Sequence, residues 1–225
     1  MFGSRRESDD DGRVAVVGLG RFGSSVALTL VERGIEVLAV DSNPKNVQEI
    51  AEVITHAVVA DSTDIEALRQ TGLQDFSHVV VAIGSDIEAS ILTTTLLAEL
   101  EVPDIWAKAV TATHGRILSR IGAHHVVLPE KEMGRRVGSM VTGAVLDYFQ
   151  VDDDLAFVKC HPSGRMLSGP VDCAALDSTT GVRLVAVKRG QTHYRAPRDR
   201  EELRADDVVV LCGSPDRVRE VAGRR

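Results

Sequence analysis

The sequence predicts an α/β protein with a doubly wound parallel sheet in its first part and a smaller α+β module in its last part. Three observations lead to this prediction. Short apolar runs alternate with segments of helical periodicity over residues 13–129, and a glycine-rich turn joins the first run to the first helical segment. This regular alternation ends after Pro129. Regular alternation of this kind is typical of a parallel sheet covered by helices on both faces.

The glycine-rich turn lies within residues 14–41, which read VAVVGLGRFGSSVALTLVERGIEVLAVD. Gly18 permits a tight turn out of the first strand, Gly20 lets a phosphate approach the backbone, and Gly23 lets the helix pack closely on the strand. The first helical turn offers unpaired amides and the positive end of its dipole to an anion. Asp41 ends the second apolar run, where a carboxylate can accept the hydroxyls of a ribose. The pattern predicts a nucleotide-binding, Rossmann-like βαβ unit.

Six apolar runs define the predicted sheet, and their uniform apolar character predicts strands buried on both faces. They are residues 14–17, 35–40, 56–60, 78–83, 105–110 and 125–128. The helical segments between them are residues 25–33, 46–52, 64–71, 87–100 and 113–121. In such a sheet ligands bind beyond the carboxyl ends of the strands, so the residues that end or follow each run are the candidates for a site.

The residues at these strand ends are polar or small. Asp61 and Ser62 follow the third run. Residues 82–84 lie at the end of the fourth run, Asp86 follows them, and Lys108 lies in the fifth run. Asp61 can accept from an adenine amino group, and the backbone of residues 82–84 can pass under a nucleoside. The alternative is that Asp61, Ser62 and Asp86 cap the helices that follow them, and we favour capping for Asp86.

Two charged residues extend this candidate site toward a terminal phosphate. Arg21, between the second and third glycines, can reach such a phosphate on its own subunit or on a neighbour, and the alternative is a solvated surface arginine. Glu130, directly after the sixth run, can meet a metal ion bound to the phosphate, and the alternative is an acid favoured by a helix dipole. Asp41 would repel a 2′-phosphate, which favours NAD, ADP or ATP over NADP.

The predicted site therefore binds a ligand and contains no catalytic residue. Its cofactor-binding members are Gly18, Leu19, Gly20, Arg21, Phe22, Gly23, Asp41, Ser42, Asp61, Ser62, Ala82, Ile83, Gly84 and Lys108, and its candidate metal ligand is Glu130.

Composition and missing motifs exclude several other classes. The net charge of −7 argues against a nucleic-acid partner. No apolar run approaches the roughly 20 residues of a membrane span, and the polar start lacks a signal-peptide core, which predicts a cytoplasmic protein. Cys160, Cys173 and Cys212 form no CxxC pair, and the chain lacks both HExxH and GxSxG. We therefore expect no zinc site, disulfide or serine nucleophile.

The second half of the chain is predicted to begin with one long helix over residues 130–149, whose apolar positions fall near one face. This face is expected to pack on a second subunit, or alternatively on its own domain. An acidic run at residues 151–154 then indicates a solvated hinge, followed by a small α+β module with strands at residues 155–160, 182–189 and 206–212 and a helix at residues 215–222. The predicted divisions are a disordered leader (1–12), a nucleotide-binding domain (13–129), the helix (130–150) and the module (151–225).

Several segments together resemble the RCK (KTN) family, and in particular the cytosolic gating subunits of the Ktr and Trk potassium-uptake systems. The resemblance covers residues 13 to 222. Its motifs are GLGRFG (18–23), Asp41, THAVVAD (55–61), VVVAIG (79–84), IWAKA (105–109), IGAHHVVLPEKEMG (121–134) and the C-terminal module.

The resemblance implies an RCK_N domain, a crossover helix that mediates dimers and an RCK_C domain, assembled as an octameric ring on the inner face of the cell membrane beneath a potassium channel or transporter. It implies that ATP and ADP, or NAD and NADH in some members, occupy the cleft without being turned over. By the same resemblance, Arg21 contacts the γ-phosphate, Asp41 binds the ribose, and Glu130 lies near a divalent cation that bridges two nucleotides.

Some relatives bind cyclic di-AMP in RCK_C through a basic, asparagine-containing segment. The corresponding residues here, 174–181, read AALDSTTG without an arginine, which counts against such a site. The rival function is a small NAD-dependent oxidoreductase, but no acid, base or substrate pocket for hydride transfer is visible in the last third of the chain. A redox-sensing transcription factor lacks a helix-turn-helix stretch or basic face.

Overall fold

The computed structural model describes residues 12–54, 56–141, 143 and 145–223. The chain divides into two compact units with the border between Glu130 and Lys131, and each unit is described by itself. The leader predicted for residues 1–12 lies, apart from Gly12, outside the described residues.

Unit 1 is built on a six-stranded sheet in which every neighbouring pair is parallel. Its strands are β1 (Arg13–Val17), β2 (Glu36–Asp41), β3 (His56–Val59), β4 (His78–Val81), β5 (Asp104–Lys108) and β6 (His125–Val127). The strand order is β3-β2-β1-β4-β5-β6. The order reverses between β1 and β4, and a crevice opens beyond the carboxyl ends of strands at such a switch point. The doubly wound prediction is confirmed.

The helices of unit 1 follow the predicted alternation. They are α1 (Arg21–Glu32), α2 (Pro44–Ile50), α3 (Ile65–Gln70), α4 (Ile87–Glu99) and α5 (Ala112–Arg120), with a 3₁₀ turn at Leu73–Asp75. The first helix begins at Arg21 and not at Ser25, because the last two glycines of the motif already form its N-cap and first turn. The Asp86 carboxylate accepts from the Ala89 amide at 3.0 Å, which confirms the cap predicted for α4.

Each central strand of this sheet buries alternate residues on opposite faces. Ala15 and Val17 of β1 belong to one apolar cluster, while Val16 belongs to the cluster on the other face. The core residues of both clusters are buried, as predicted for a sheet with helices on both faces. Uniform burial is wrong for β3, where Val58 and Val59 are exposed, because β3 is an edge strand with a neighbour on one side only.

Unit 2 contains an antiparallel sheet and a short ribbon. Helix α6 (Pro129–Met140) starts at the end of unit 1, and the strands are β7 (Asp147–Gln150), β8 (Ala156–Cys160), β9 (Val171–Asp172), β10 (Val182–Lys188), β11 (Arg200–Glu201) and β12 (Val208–Gly213). The other helices are α7 (Cys173–Thr180) and α8 (Pro215–Gly223), with a 3₁₀ turn at Gly164–Leu167. The sheet has the order β10-β12-β8-β7, and β9 pairs with β11. This architecture confirms the predicted α+β module.

The long helix predicted over residues 130–149 is wrong after Met140. Gly143 has a left-handed φ of +74°, which ends a helical path. Further on, Tyr148 is 4% exposed and its neighbour Phe149 is 64% exposed, the alternation of a strand. Aromatic residues favour this pleated arrangement, so residues 147–150 form β7 of the C-terminal sheet.

The hinge predicted at residues 151–154 is also wrong, because these residues form the turn of the β7–β8 hairpin. The Val151 amide donates to the Leu155 carbonyl at 2.9 Å. One Asp152 carboxylate oxygen accepts from the amides of Asp154 at 2.9 Å and Leu155 at 2.8 Å. Acidic residues are suited to this role because a short carboxylate can replace backbone partners in a turn.

Candidate functional site

The glycine-rich loop after β1 has almost no room for side chains. Gly18 has φ +93°, and a Cβ there would lie 3.0 Å from Cγ1 of Ile83. A Cβ on Gly23 would collide with the carbonyl oxygen of Gly18 and would lie 2.9 Å from Cβ of Ala82. The turn, α1 and the end of β4 are therefore packed against each other, as the glycine spacing predicts.

The start of α1 is open where that packing ends. Gly20 is the N-cap, so among the described residues no side chain satisfies the first amides of the helix, and none of their atoms lies within 4 Å of a Cβ placed on Gly20. By contrast, Asp64 and Thr111 cap α3 and α5 through their side chains. Unpaired amides, a helix dipole and free space together suit an anionic group such as a phosphate.

The Asp41 carboxylate joins the end of β2 to the glycine-rich loop. Its Oδ2 accepts from the Leu19 amide at 2.5 Å and from Nδ2 of Asn46 at 3.1 Å. Its Oδ1 accepts from the Asn43 amide at 2.7 Å, beside the exposed Ser42. Sequence reasoning missed Asn46, which lies in the first turn of α2, and no motif in the sequence singles it out. The acid lies beside the loop at the edge predicted for a ribose ligand.

Lys108 and Glu130 form an ion pair on the other side of the crevice. Lys108 ends β5, its side chain is only 12% exposed, and its Nζ lies 2.7 Å from Oε1 of Glu130. The same Nζ lies 5.5 Å from the centre of the Phe22 ring. It would be 3.0 Å from a Cβ on Gly84, so the glycine after β4 makes room for the ammonium group. Both residues were candidates, but their pairing was not predicted.

Arg21 completes this group of charges. It is exposed, and its positive charge helps to lower the pKa of Glu130, after the larger effects of the Lys108 hydrogen bond and a backbone hydrogen bond. The structure thus brings Arg21, Lys108 and Glu130 together from α1, β5 and the start of α6. Two cations around one carboxylate leave a net positive charge, which favours an anionic ligand.

The residues after β3 have local roles. One Asp61 oxygen accepts from the Thr63 amide at 2.9 Å and from the Thr63 hydroxyl at 2.7 Å, and these bonds lower the pKa of Asp61. Ser62 is buried with its hydroxyl 2.8 Å from the Thr93 hydroxyl on α4. The capping alternative is wrong for both Asp61 and Ser62, because Asp64 caps α3. The Ser62 hydroxyl therefore joins the loop after β3 to α4.

The described residues form neither a metal-binding cluster nor a membrane-spanning helix. No group of three or more His, Cys, Asp or Glu side chains in the described ranges could hold a metal ion. Glu130, the candidate metal ligand, forms an ion pair with Lys108. Within the part of the chain that the structure covers, no helix combines the length and apolar character needed to cross a bilayer.

Comparison with known families agrees with this geometry. The TrkA-N domain model matches residues 14–129, the whole span of the parallel sheet and its crevice. The chain belongs to the TrkA-N family. The TrkA-C domain model matches residues 165–223, which cover most of unit 2. The resemblance inferred from the sequence motifs is thus confirmed.

Three relatives are similar to this TrkA-N protein over nine-tenths or more of their own length. It is 40% identical over 201 residues to Ktr system potassium uptake protein C of Bacillus subtilis, covering 89% of this chain and 91% of the relative. It is 36% identical to protein A of the same organism, covering 88% and 90%. It is 35% identical to protein A of Vibrio alginolyticus, covering 92% and 95%.

Solved structures show the same fold at low identity. The GsuK RCK domain superimposes with a TM-score of 0.63 at 16% identity, covering 95% of this TrkA-N chain and 48% of the other. The GsuK channel bound to NAD gives a TM-score of 0.63 at 17% identity, covering 95% and 40%. This chain therefore spans about half or less of those proteins. An AMP-bound Kef domain of Shewanella denitrificans gives 0.51 at 20% identity, covering 58% and 79%.

Proposed function

We propose that this protein is a nucleotide-sensing regulatory subunit of a Ktr-type potassium-uptake system and that it has no enzymatic activity. The observation that carries the proposal is its similarity to Ktr proteins A and C over about nine-tenths of both chains. Its partner is then a membrane potassium channel or transporter, and the protein lies in the cytoplasm at the inner face of the membrane.

The ligand is proposed to lie across the crevice of unit 1. Its phosphates meet the α1 amides and the open space at Gly20, and its ribose hydroxyls replace or share the partners of Asp41. The base lies between Asp61 and the backbone of residues 82–84. The Asp41 carboxylate would repel a 2′-phosphate, so NADP is disfavoured.

ATP and ADP are proposed as the physiological pair, with NAD and NADH as the alternative. The support is the charge group of Arg21, Lys108 and Glu130, in which Lys108 Nζ lies 5.5 Å from the ring of Phe22 in the glycine-rich motif. A terminal phosphate would be held by the two cations, as charge-assisted hydrogen bonds to phosphate require. Glu130 would supply one carboxylate to a divalent cation carried by the phosphate, with phosphate oxygens and water as the other ligands.

Helix α6 is proposed to pair with a second copy of the chain. Met133 and Val137 lie one turn apart along it, Val141 follows directly after its last residue, and all three are exposed, Val141 by 79%. An apolar stripe that remains exposed favours burial against a partner. This supports a dimer, and four such dimers would build the octameric ring expected for the family.

Regulation then follows from differential binding. If ATP and ADP bind two shapes of the assembly with different affinities, each shifts the population toward the shape it prefers. A coupling free energy of about 1–3 kcal/mol changes the balance roughly 5- to 150-fold, which is sufficient for gating. No bond in the nucleotide has to be broken.

The test combines binding and transport. Calorimetry on the full chain should show ATP or ADP binding that is weakened at least about tenfold in Asp41→Ala, while Asp75→Ala, an exposed acid of the same unit, binds normally. Potassium flux through a Ktr-type membrane partner in liposomes should then differ between the two nucleotides. The proposal fails if none of ATP, ADP, NAD and NADH binds, or if NADH is consumed repeatedly with carbonyl substrates.

A further inference from the structure

Unit 2 contains an open pocket of about 510 Å³ that is separate from the crevice of unit 1. Its wall is made by four arginines, two glutamates and Pro170. The volume lies in the range of small-molecule sites, roughly 300–1,000 Å³. The four arginines are Arg189, Arg195, Arg198 and Arg200.

Two of these arginines are held in place by buried carboxylates. Nε and Nη2 of Arg189 donate to the two oxygens of Asp207 at 2.8 and 2.7 Å. Nη1 and Nη2 of Arg195 donate to Glu201 at 2.8 and 2.5 Å. Asp207 and Glu201 are 0% and 2% exposed, so neither guanidinium can swing away without leaving a buried charge unpaired. The cationic wall is therefore preorganised.

The backbone around the pocket is fixed as well. Val187 and Arg195 exchange two backbone hydrogen bonds of 2.9 and 3.0 Å, which close the hairpin that carries Arg189 and Arg195. Arg200 lies in β11, and its backbone is aligned with that of Asp172 in the neighbouring strand β9. A rigid frame reduces the ordering that a ligand would otherwise have to impose on binding.

Donors remain free on this wall. Among the described residues, the side chains of Arg198 and Arg200 are exposed and form no ion pair or hydrogen bond, and Nη1 of Arg189 is likewise unused. Glu201 already accepts three hydrogen bonds, two from the Arg195 guanidinium and one from the Arg198 amide at 2.9 Å. With the buried Asp207 that pairs with Arg189 included, four arginines against three carboxylates leave a net charge of +1.

The hydrogen bonds to Glu201 raise the pKa of Arg195, and repulsion from the nearby positive charge of Arg189 partly opposes that rise. A dianion bound between the arginines would relieve the repulsion and would use the free N–H groups. Phosphate is the group that best matches guanidinium forks in charge and geometry. Glu202, the wall carboxylate without a guanidinium partner, would repel a ligand that carries negative charge along its whole length.

We propose that this pocket binds a small soluble ligand that carries two adjacent phosphate groups. Arg198 and Arg200 donate hydrogen bonds to the phosphates, while Arg189 and Arg195 supply fixed positive charge in the pocket wall. The proposal concerns unit 2 alone and does not depend on nucleotide binding in unit 1.

The test is calorimetry of inorganic pyrophosphate binding to the full chain. The double variant Arg198→Gln/Arg200→Gln should bind at least about tenfold more weakly, and the affinity of the natural chain should fall as salt is added. The matched control is Arg165→Gln/Arg217→Gln, two exposed arginines of unit 2 outside the pocket, which should bind normally. Circular dichroism confirms that both variants fold, as exposed substitutions allow.

Two results would overturn the proposal. Absence of pyrophosphate binding does so directly, and equal binding by the pocket variant and the control places the probe elsewhere in the chain. A sedimentation assay with phosphatidylcholine vesicles, with and without phosphatidylglycerol, separates a lipid headgroup from a soluble ligand. Arginine-dependent binding to anionic vesicles without binding of free pyrophosphate contradicts a soluble ligand.

Discussion

The ammonium group of Lys108 lies 2.7 Å from the carboxylate of Glu130, and this pair joins the end of β5 to the start of α6. Lys108 is nearly buried, whereas the Glu130 side chain is 66% exposed. An ion pair with such an exposed partner contributes no more than about 1 kcal/mol. In the proposed complex, a terminal phosphate would therefore compete for Lys108 and leave Glu130 available to a cation.

Lys108→Met should separate the roles of the two residues. Because the hydrogen bond from Lys108 is the largest cause of the lowered pKa of Glu130, that pKa should rise toward its ordinary value. Carbon NMR titration of the Glu130 carboxyl measures this change, and calorimetry should show ATP affinity reduced about tenfold. Lys45→Met, at an exposed position on α2, is the control. An unchanged Glu130 titration would mean that the pair does not form in solution.

Arg21→Ala should abolish the difference between ATP and ADP in the potassium-flux assay. The reason is that Arg21 is exposed at the start of α1, where only the longer ligand would reach it. The fold should remain intact, as judged by thermal unfolding. Arg33→Ala, at the far end of the same helix, should retain the difference. A normal ATP response in Arg21→Ala would remove Arg21 from the switch.

Alanine substitutions at two glycines of the motif should affect different properties, namely stability at Gly23 and nucleotide affinity at Gly20. Gly23→Ala places a methyl group against the Gly18 carbonyl and should lower the free energy of unfolding by at least about 2 kcal/mol. Gly20→Ala meets no atom within 4 Å, so stability should change little while nucleotide affinity falls, because the methyl group occupies the proposed phosphate position. Urea unfolding and calorimetry measure the two effects. Normal binding by Gly20→Ala would contradict the proposed pose.

The stability of unit 2 should depend on Glu201 in acid. The Arg195 hydrogen bonds lower the pKa of Glu201 from 4.5 to about 2. The stabilisation is therefore complete above pH 4.5 and is lost as the pH falls toward 2. Glu201→Gln should cost roughly 2–3 kcal/mol at neutral pH and should flatten the acid dependence, measured by urea unfolding. Glu202→Gln, its exposed neighbour, should have normal stability at neutral pH; an equal loss there would refute a specific role.

Val137→Glu should disrupt the proposed pairing of α6. The substitution places a carboxylate in the middle of the exposed apolar stripe, where burial against a second copy would strip it of water. Light scattering after size exclusion should show a smaller assembly. Ser139→Glu introduces the same charge on another face of the helix and should leave the assembly unchanged. Equal masses for both variants and the natural chain would exclude this stripe as the interface.

Much of unit 1 was predictable because its signals are local. Each βα repeat carries a short apolar run and a helical period within about 20 residues, and the three glycines have steric roles set by near neighbours in the chain. The same reasoning failed after Met140, where Gly143 and the alternation of Tyr148 and Phe149 are weaker signals than a long run of helix-compatible residues. It also missed α7, which resembles a turn-rich segment in composition.

The doubly wound architecture, the turn at Gly18 and the acid at Asp41 can be predicted from the residues alone. Four further relationships are visible only in the folded chain: Asn46 donates to Asp41, Ser62 bonds to Thr93, Lys108 pairs with Glu130, and four arginines share one wall. The physical reason is that conformational preferences act over a few residues, whereas these partners meet only through strand order, strand register and the packing of helices on sheets.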